Sequence, residues 1–265
     1  MVRDHLCCWE LMKREGSLQV LFQKMNKLLH PVTSVSVPHS AQDFSTYFTS
    51  KVDNIRATTA NAPRANITCE EVPLFTGFHG VTVEEVSLLI SKSSNKQCEL
   101  DPIPTWLVKE LTDVLAPTIR DMADASFRQG KFPDSHKHAI VRSLIKKPSL
   151  DLQSYRPISN LSFVSKIIER LVVNRVSDHT QQHSLLTECQ SAYRQYQSTE
   201  TAIAIVHNDI VCAIDHGFVS ALVLLDLSAA FDTVNHEVLM YILKDRFSIE
   251  HHELDWFRSY HSEHQ

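Results

Sequence analysis

The sequence is poor in glycine, with 5 in 265 residues, whereas glycine makes up roughly 7% of average proteins. Few positions can therefore take a positive φ or bring bare backbone against a phosphate. Neither GxGxxG nor GxxxxGK[ST] occurs, so both glycine-rich nucleotide-binding loops are excluded. The six cysteines are scattered without a CxxC pair, which argues against a disulfide framework or a zinc site.

Long apolar runs are also missing. No stretch of 18 apolar residues occurs, so the sequence predicts no membrane span and no membrane partner. Asp4, His5 and Glu10 interrupt the N-terminal segment before a signal-peptide core could form. We therefore expect an intracellular protein, nuclear or cytoplasmic, with reduced cysteines. Its 43% hydrophobic and 22% charged residues are typical of a globular chain and exclude a disordered acidic tail.

Composition and periodicity divide the chain into three stretches. Residues 1–65 form a linker-like N-terminal region, residues 66–135 a helical extension, and residues 136–265 an alternation of strands and helices. A short apolar helix is predicted over 18–29. A second helix is predicted over 42–56 because one helical stripe carries four apolar side chains, namely Phe44, Phe48, Val52 and Ile55.

Capping and breaking residues predict further helix boundaries. Thr82 and Glu85 have the spacing of a capping box, in which each side chain caps the other's backbone amide. Asp101-Pro-Ile-Pro104 predicts a turn that opens a helix. Pro117 is expected to break or restart that helix, and Gly130 fits the position after its end.

The last stretch mixes both periodicities, which indicates an α+β fold. Strands are predicted over 138–145 and 219–227, the second as an apolar central strand buried on both faces. Helices are predicted over 165–179 and over Thr199–Asp215.

Charge is unevenly distributed along the chain. Residues 137–175 contain eight Lys and Arg against two Asp and Glu, so this stretch carries 8 − 2 = +6 although the whole chain carries −5. A basic stretch in an acidic chain is typical of a phosphate-contacting surface. An ordinary solvated face remains the alternative.

Asp226 ends the apolar run of 219–227 and has three possible roles. It could cap the following helix. It could be the nucleophile of a haloacid-dehalogenase-type phosphohydrolase, although the second aspartate and Gly-Thr turn of that family are absent. It could instead bind a metal in a two-metal nucleotidyl transferase. On that reading the Leu227 carbonyl is a further ligand, and Phe231, five residues on, presses on the nucleotide sugar.

The segment around Asp226 and five further segments carry a resemblance to one family. LVLLDLSAAFDTVNH (222–236) resembles the first catalytic motif of reverse transcriptases from non-LTR, LINE-like retrotransposons of the jockey and chicken-repeat groups. Earlier segments resemble successive blocks of the same family in the same order: ELDPIPTWLVKE (99–110), GKFPDSHKHAIVRSLIKKPSLD (130–151), SYRPISNLSFVSKIIERLV (154–172) and ECQSAYRQYQSTETA (188–202). QDFSTYFTSKVDNIR (42–56) resembles the segment that precedes the polymerase in those elements.

This resemblance implies roles for individual residues. Asp226 is similar to the first metal-binding aspartate, for Mg²⁺ or Mn²⁺, and Phe231 to the aromatic gate beneath the deoxynucleotide sugar. Arg156 is similar to the arginine that grips the triphosphate, since a guanidinium fork matches phosphate oxygens. Lys146 or Lys147 is expected to add a second positive contact.

The resemblance also implies an incomplete right-hand polymerase: fingers and a partial palm, with an incomplete palm sheet and no thumb. The expected partners are an RNA template, a DNA primer or RNA–DNA hybrid, and deoxynucleotide triphosphates. The family's second pair of metal-binding aspartates has no counterpart in this sequence, so we expect no polymerase activity from this polypeptide alone. A non-catalytic RNA or hybrid binding module, or a non-functional retroelement relic, is the alternative.

Overall fold

A computed structural model describes residues 38–60, 72–96, 98–147, 149–227 and 229–262 of the chain. Its elements, in order, are α1 (Ala41–Thr59), α2 (Val83–Lys92), α3 (Thr105–Glu110), α4 (Thr112–Gln129), β1 (Ala139–Ile145), β2 (Tyr155–Leu161), α5 (Phe163–Gln182), α6 (Thr199–Asp215), α7 (His236–Phe247) and α8 (His251–His261). The described residues thus form a helix-rich α+β structure. The helix predicted over 18–29 lies outside them.

The helices predicted from periodicity are confirmed where the structure describes them. The apolar stripe of α1 is half-buried, and α5 buries Ile167, Ile168 and Leu171 as its periodicity requires. The helix predicted over Thr199–Asp215 is α6, but it buries no residue and leaves Ile205 55% exposed.

One predicted helix boundary is wrong, and one predicted capping box is only half formed. Thr82 Oγ1 accepts the Glu85 amide at 3.2 Å as a cap should, but the Glu85 carboxylate binds Arg175 of α5 instead of returning to Thr82. Pro117 lies inside α4 without breaking it, and the interruption falls at Leu111, between α3 and α4. Gly130 does end α4, at φ 59°, and an added Cβ would lie 2.8 Å from the His252 carbonyl oxygen.

The main core lies between α2, α4, α5 and α8. Ile90, Ile168 and Leu171 are fully buried there, and the Trp256 ring of α8 packs on Phe127 of α4. The Trp256 indole donates to Ser126 Oγ at 2.9 Å, so its polar atom is satisfied inside the core. A smaller apolar cluster joins α7 to α8 through Met240, Ile249 and Leu254, with Phe75 packed on it.

One ion pair ties α2 to α5 beside this core. Arg175 binds both oxygens of Glu85, at 2.7 and 3.0 Å, while its guanidinium lies 5.4 Å from the Phe127 ring centroid. A bidentate geometry is the arrangement that best offsets the cost of burying the charge. The sequence pattern assigned Glu85 to a local cap with Thr82. Its actual partner, Arg175, lies 90 residues away and could not be recognised from local spacing.

β1 and β2 form an antiparallel hairpin, the one sheet of the described ranges. β1 confirms the strand predicted over 138–145, while no strand was predicted at β2. The apolar strand predicted over 219–227 is wrong: those residues form neither helix nor strand, and Leu225 is 90% exposed. An apolar strand is buried only when neighbouring strands accept its hydrogen bonds, and no described strand lies beside it. No described helix is long and apolar enough to span a membrane.

Ile168→Ala tests the position of the core. The side chain is fully buried between α2, α4 and α5, so its truncation should lower the free energy of unfolding by about 2–5 kcal/mol. The same substitution at Ile203 of α6, which is 63% exposed, is the matched control and should cost less than about 0.5 kcal/mol. Urea unfolding of both variants measures the difference, and equal losses would contradict this core.

Protonation of the half-buried His136 should make the free energy of unfolding depend on pH. Burial lowers the pKa of His136, partly opposed by the nearby Asp101 carboxylate. Burial also lowers the pKa of His179, whose Nε2 donates to the Phe247 carbonyl at 2.9 Å. A histidine with a depressed folded pKa stabilises the fold above its unfolded pKa of about 6.5 and loses that stabilisation as the pH falls toward the folded pKa.

We therefore expect the unfolding free energy to fall between about pH 7.5 and about pH 5.5, and His136→Gln to reduce that fall. His207→Gln on the exposed face of α6 is the control. Urea titrations at both pH values provide the measurement. An unchanged slope in His136→Gln would show that the buried imidazole is not responsible.

Candidate nucleotide and nucleic-acid site

The β1–β2 hairpin carries the three predicted phosphate-binding residues. Arg156 lies in β2 directly opposite Leu144 of β1. Lys146 follows β1, and its amide donates to the Ser154 carbonyl at 2.6 Å. This register places Lys146 diagonally across from Arg156 on one face, where such pairs are about 7–8 Å apart. The two charges can therefore contact the same polyphosphate chain.

These basic side chains are exposed and form no contact to a polar partner among the described residues. Arg156, Lys146 and Lys147 are all exposed, and none of their side chains forms a hydrogen bond or ion pair with any residue that the structure describes. A guanidinium that a strand holds in water, without an ion pair to a described carboxylate, is suited to bind an external anion.

The base of the hairpin is fixed to the core by Asp101. One carboxylate oxygen accepts the Phe163 amide at 2.6 Å at the start of α5, and the other accepts the Cys98 amide at 3.2 Å. Cys98 Sγ in turn lies 3.7 Å from the Asn160 carbonyl of β2. Asp101 belongs to the DPIP turn, which the sequence analysis assigned only to opening a helix, so this second role was missed.

The stretch of residues 137–175 exposes less positive charge in the folded structure than its sequence suggests. Three of its cations pair with acids that lie outside the stretch: Lys137 with Asp134, Arg142 with Glu99, and Arg175 with Glu85. Lys137 and Arg175 are also buried. The exposed positive charge of this stretch therefore lies on the hairpin and on the outer face of α5.

Asp226 lies in an exposed, irregular segment. Its neighbours Leu225 and Leu227 are 90% and 77% exposed, and Asp226 itself is exposed. The helix that follows is capped by Asn235, whose Oδ1 accepts the amides of Glu237 and Val238 at 2.9 and 3.2 Å. Asp226 therefore does not cap α7, and that alternative is removed.

Phe231 lies in a turn between this segment and α7. The turn is closed by the Thr233 amide, which donates to the Ala229 carbonyl at 3.0 Å. The Phe231 ring is 77% exposed and meets the edge of Tyr193 at a centroid distance of 6.4 Å. Tyr193 belongs to the QSAYR segment and has a φ of 60°. The structure thus places Phe231 beside the QSAYR segment, a contact that the sequence did not predict.

A metal site is not completed by these residues. Mg²⁺ takes near-octahedral oxygen coordination, whereas Asp226 and the Leu227 carbonyl supply one side-chain ligand and one backbone ligand. No cluster of three or more His, Cys, Asp or Glu side chains suited to a metal occurs within the described ranges. The donor set does not fit a two-metal centre, and no catalytic step follows from it. The roles predicted for Asp226, Leu227 and Phe231 stay predictions.

The candidate residues form two separate groups in the described structure. Lys146, Lys147 and Arg156 occupy the hairpin, while Asp226 and Phe231 lie near the start of α7. Among the residues that the structure describes, no hydrogen bond, ion pair or ring contact joins the two groups directly. Helix α1 contacts both groups. Its Phe44 ring lies 4.9 Å from the Tyr155 ring, centroid to centroid, and its Arg56 guanidinium donates to the Asp232 carbonyl at 3.3 Å.

The sequence of this region matches a known family. Residues 145–264 match the family described as reverse transcriptase (RNA-dependent DNA polymerase). This segment includes the hairpin strand of Arg156, the turn of Phe231 and the helices α5–α8. Residues 145–264 are thus similar in sequence to part of a reverse transcriptase domain.

Similar proteins narrow the type to non-LTR retrotransposons. The chain is 29% identical over 171 residues to the RNA-directed DNA polymerase from mobile element jockey of Drosophila funebris, covering 63% of this chain and 19% of that protein. It is 35% identical over 126 residues to the probable RNA-directed DNA polymerase from transposon BS of Drosophila melanogaster, covering 47% and 14%. A third relative is the probable RNA-directed DNA polymerase from transposon X-element of the same species, 30% identical over 155 residues, covering 58% and 17%.

These matches confirm the family resemblance of the motifs. The region is similar in sequence to the RNA-directed DNA polymerases of these mobile elements, and the chain spans less than a fifth of the length of these three relatives.

Asp101→Ala should loosen the hairpin from the core. The substitution leaves the Phe163 and Cys98 amides without their acceptor, which should cost about 1–3 kcal/mol. Hydrogen exchange in β1 and β2 should accelerate more than exchange in α4. Asp209→Ala on exposed α6 is the control for loss of one carboxylate. Uniform acceleration, or none, would count against Asp101 as the anchor.

Proposed function

We propose that residues 139–262 are the fingers hairpin and the first palm motif of an RNA-directed DNA polymerase, and that the chain binds RNA or an RNA–DNA hybrid together with deoxynucleotide triphosphates. The observation that carries the proposal is the hairpin charge: Arg156 is exposed, lies diagonal to Lys146, and has no internal partner among the described residues. The family match of residues 145–264 supports the same assignment.

The exposed apolar segment 218–227 supports a palm origin for this region. Val223, Leu224 and Leu225 are 76%, 84% and 90% exposed, which is unusual for a run of this length in a folded chain. We infer that the segment becomes a strand when strands beyond those described here pair with it. The apolar side chains would then be buried on both faces of a sheet.

Binding and polymerisation are separable in this proposal. Phosphate contacts need only the hairpin cations, whereas nucleotidyl transfer needs ligands for two metal ions, and the described residues supply one candidate carboxylate at Asp226. We therefore propose that the polypeptide of residues 1–265 binds nucleic acid but does not extend a primer by itself. A non-catalytic binding module is the alternative that shares this behaviour.

Salt-dependent RNA binding tests the phosphate-binding role. Arg156→Ala and Lys146→Ala should each weaken binding about tenfold or more, since a hydrogen bond to a charged group is worth about 1.5–3 kcal/mol. Each should also reduce the slope of log K against log[salt] by about 1. Arg128→Ala, which removes an exposed arginine of α4, should leave binding unchanged, as should Asp226→Ala.

Primer extension with Mg²⁺ or Mn²⁺ separates the two parts of the proposal. Template-dependent incorporation that Asp226→Ala abolishes would overturn the proposed inactivity of the isolated chain. Absence of any RNA binding by the folded protein would overturn the binding role and favour a non-functional relic. Equal loss of binding in Arg128→Ala and Arg156→Ala would show that charge alone is responsible, without a specific site.

A further inference from the structure

The N-terminal end of α1 contacts the tip of the hairpin. The Phe44 ring meets Tyr155 edge-on at a centroid distance of 4.9 Å, and Tyr155 is 4% exposed. His39 Nε2 donates to the Leu150 carbonyl at 2.8 Å in the loop between β1 and β2. Arg156 follows Tyr155 directly, so these contacts fix the strand position from which its guanidinium projects.

The C-terminal end of α1 contacts the turn that carries Phe231. Arg56 Nη2 donates to the Asp232 carbonyl at 3.3 Å and to the Val234 carbonyl at 3.2 Å. The two acceptors lie one and three residues after Phe231. One guanidinium therefore holds both sides of the short segment between Phe231 and the start of α7.

The start of α1 is fixed by a capping box, which defines the length of the helix. Ser40 and Asp43 form a reciprocal capping box at its start, and hydrogen bonds from Ser40 lower the pKa of Asp43. Phe44 and Arg56 are 12 positions apart, which corresponds to about 18 Å along an α-helix. No residue of α1 is fully buried, so the helix is not a part of the main core.

We propose that α1 positions the two halves of the candidate site, with Phe44 and Arg56 as the positioning residues at its ends. The helix sets the separation between the hairpin of Arg156 and the turn of Phe231, which no hydrogen bond, ion pair or ring contact of the described residues joins directly. This inference rests on the proposed function, because it assumes that both elements serve one nucleotide site. The segment that does this lies outside residues 145–264, the part that matches the family.

The geometry favours this role over that of an incidental surface helix. A helix that only covered apolar surface would contact one continuous face of the core, whereas the contacts of α1 reach residues 150–155 at one end and 232–234 at the other. Both ends touch elements that carry candidate site residues, and the contacts span more than 100 positions in sequence. The arrangement couples the two elements through one rigid body.

Distance measurement between two spin labels tests the proposal directly. The labels are placed at Gln153→Cys in the hairpin loop and Ala230→Cys in the turn, both exposed, in the polypeptide of residues 1–265 with the native cysteines replaced by serine. Double electron–electron resonance should give one narrow distance distribution. Arg56→Met should broaden it, because the apolar stem is kept while both carbonyl contacts are lost. Phe44→Ala should broaden it independently from the other end.

Matched controls separate positioning from general loss of structure. Lys51→Met makes the same charge change on α1 without removing a hydrogen bond that the described residues form, and should leave the distribution narrow. Tyr155→Phe keeps the ring that Phe44 contacts and removes a buried hydroxyl that has no partner among the described residues, so it should also leave the distribution narrow. The unfolding midpoint of each variant should stay close to that of the parent.

Distances unchanged in both Arg56→Met and Phe44→Ala would overturn the proposal. Equal broadening in Lys51→Met would also overturn it, by showing that any change in α1 has this effect. Binding of deoxynucleotide triphosphate to the same variants keeps the two claims apart. Broadened distances with no nucleotide binding even by the parent would sustain the positioning geometry and reject the proposed function.

Discussion

A two-stranded hairpin is at best marginally stable on its own in water, and this constraint governs the candidate site. The hairpin that carries Arg156 is the one sheet of the described ranges, so other elements must hold it. Asp101 anchors its base to the start of α5. Its tip is covered by Phe44 of α1 and by His39, which lies two residues before that helix. The position of the basic side chains is thus set by residues that carry no phosphate chemistry themselves.

The core explains why those anchors are rigid. Helices α2, α4, α5 and α8 share one apolar cluster around Phe127, Ile168 and Trp256, and the Arg175–Glu85 pair locks α2 to α5 at its side. Asp101 reaches α5 at the Phe163 amide, one residue after its N-cap. Burial fixes α5, α5 orients Asp101, and Asp101 fixes the hairpin. By contrast, α6 and the segment 218–227 bury little and lie apart from this chain of contacts.

Sequence patterns correctly predicted the helices, strand and caps whose formation depends on neighbouring residues in the sequence. The helical repeat of α5, the short strand β1 and the caps at Thr82 and Gly130 are local features, and each is confirmed. These patterns failed where the outcome depended on distant partners. The apolar run before Asp226 predicted a buried strand, but burial requires neighbouring strands that a single segment does not contain.

Charge shows the same limit. Glu85, Glu99 and Asp134 all lie outside the basic stretch of residues 137–175, yet they neutralise three of its cations. Counting charges along the sequence therefore overstated the positive surface. In the structure, the exposed positive charge of this stretch lies on the hairpin, at Arg156, Lys146 and Lys147, and on the outer face of α5. The bridging role of Arg56 had no sequence signal either, because both of its acceptors are backbone carbonyls about 176 positions away.

Photo-crosslinking tests the central claim, that the hairpin is the phosphate-binding element of this chain, most directly. RNA containing 4-thiouridine is bound to the full chain, irradiated and digested, and the attached peptides are identified by mass spectrometry. Crosslinks should concentrate in residues 142–158 and disappear at high salt, because the contacts are to phosphates. Crosslinks confined to other regions, or unchanged when Arg156 and Lys146 are replaced by alanine, would contradict it.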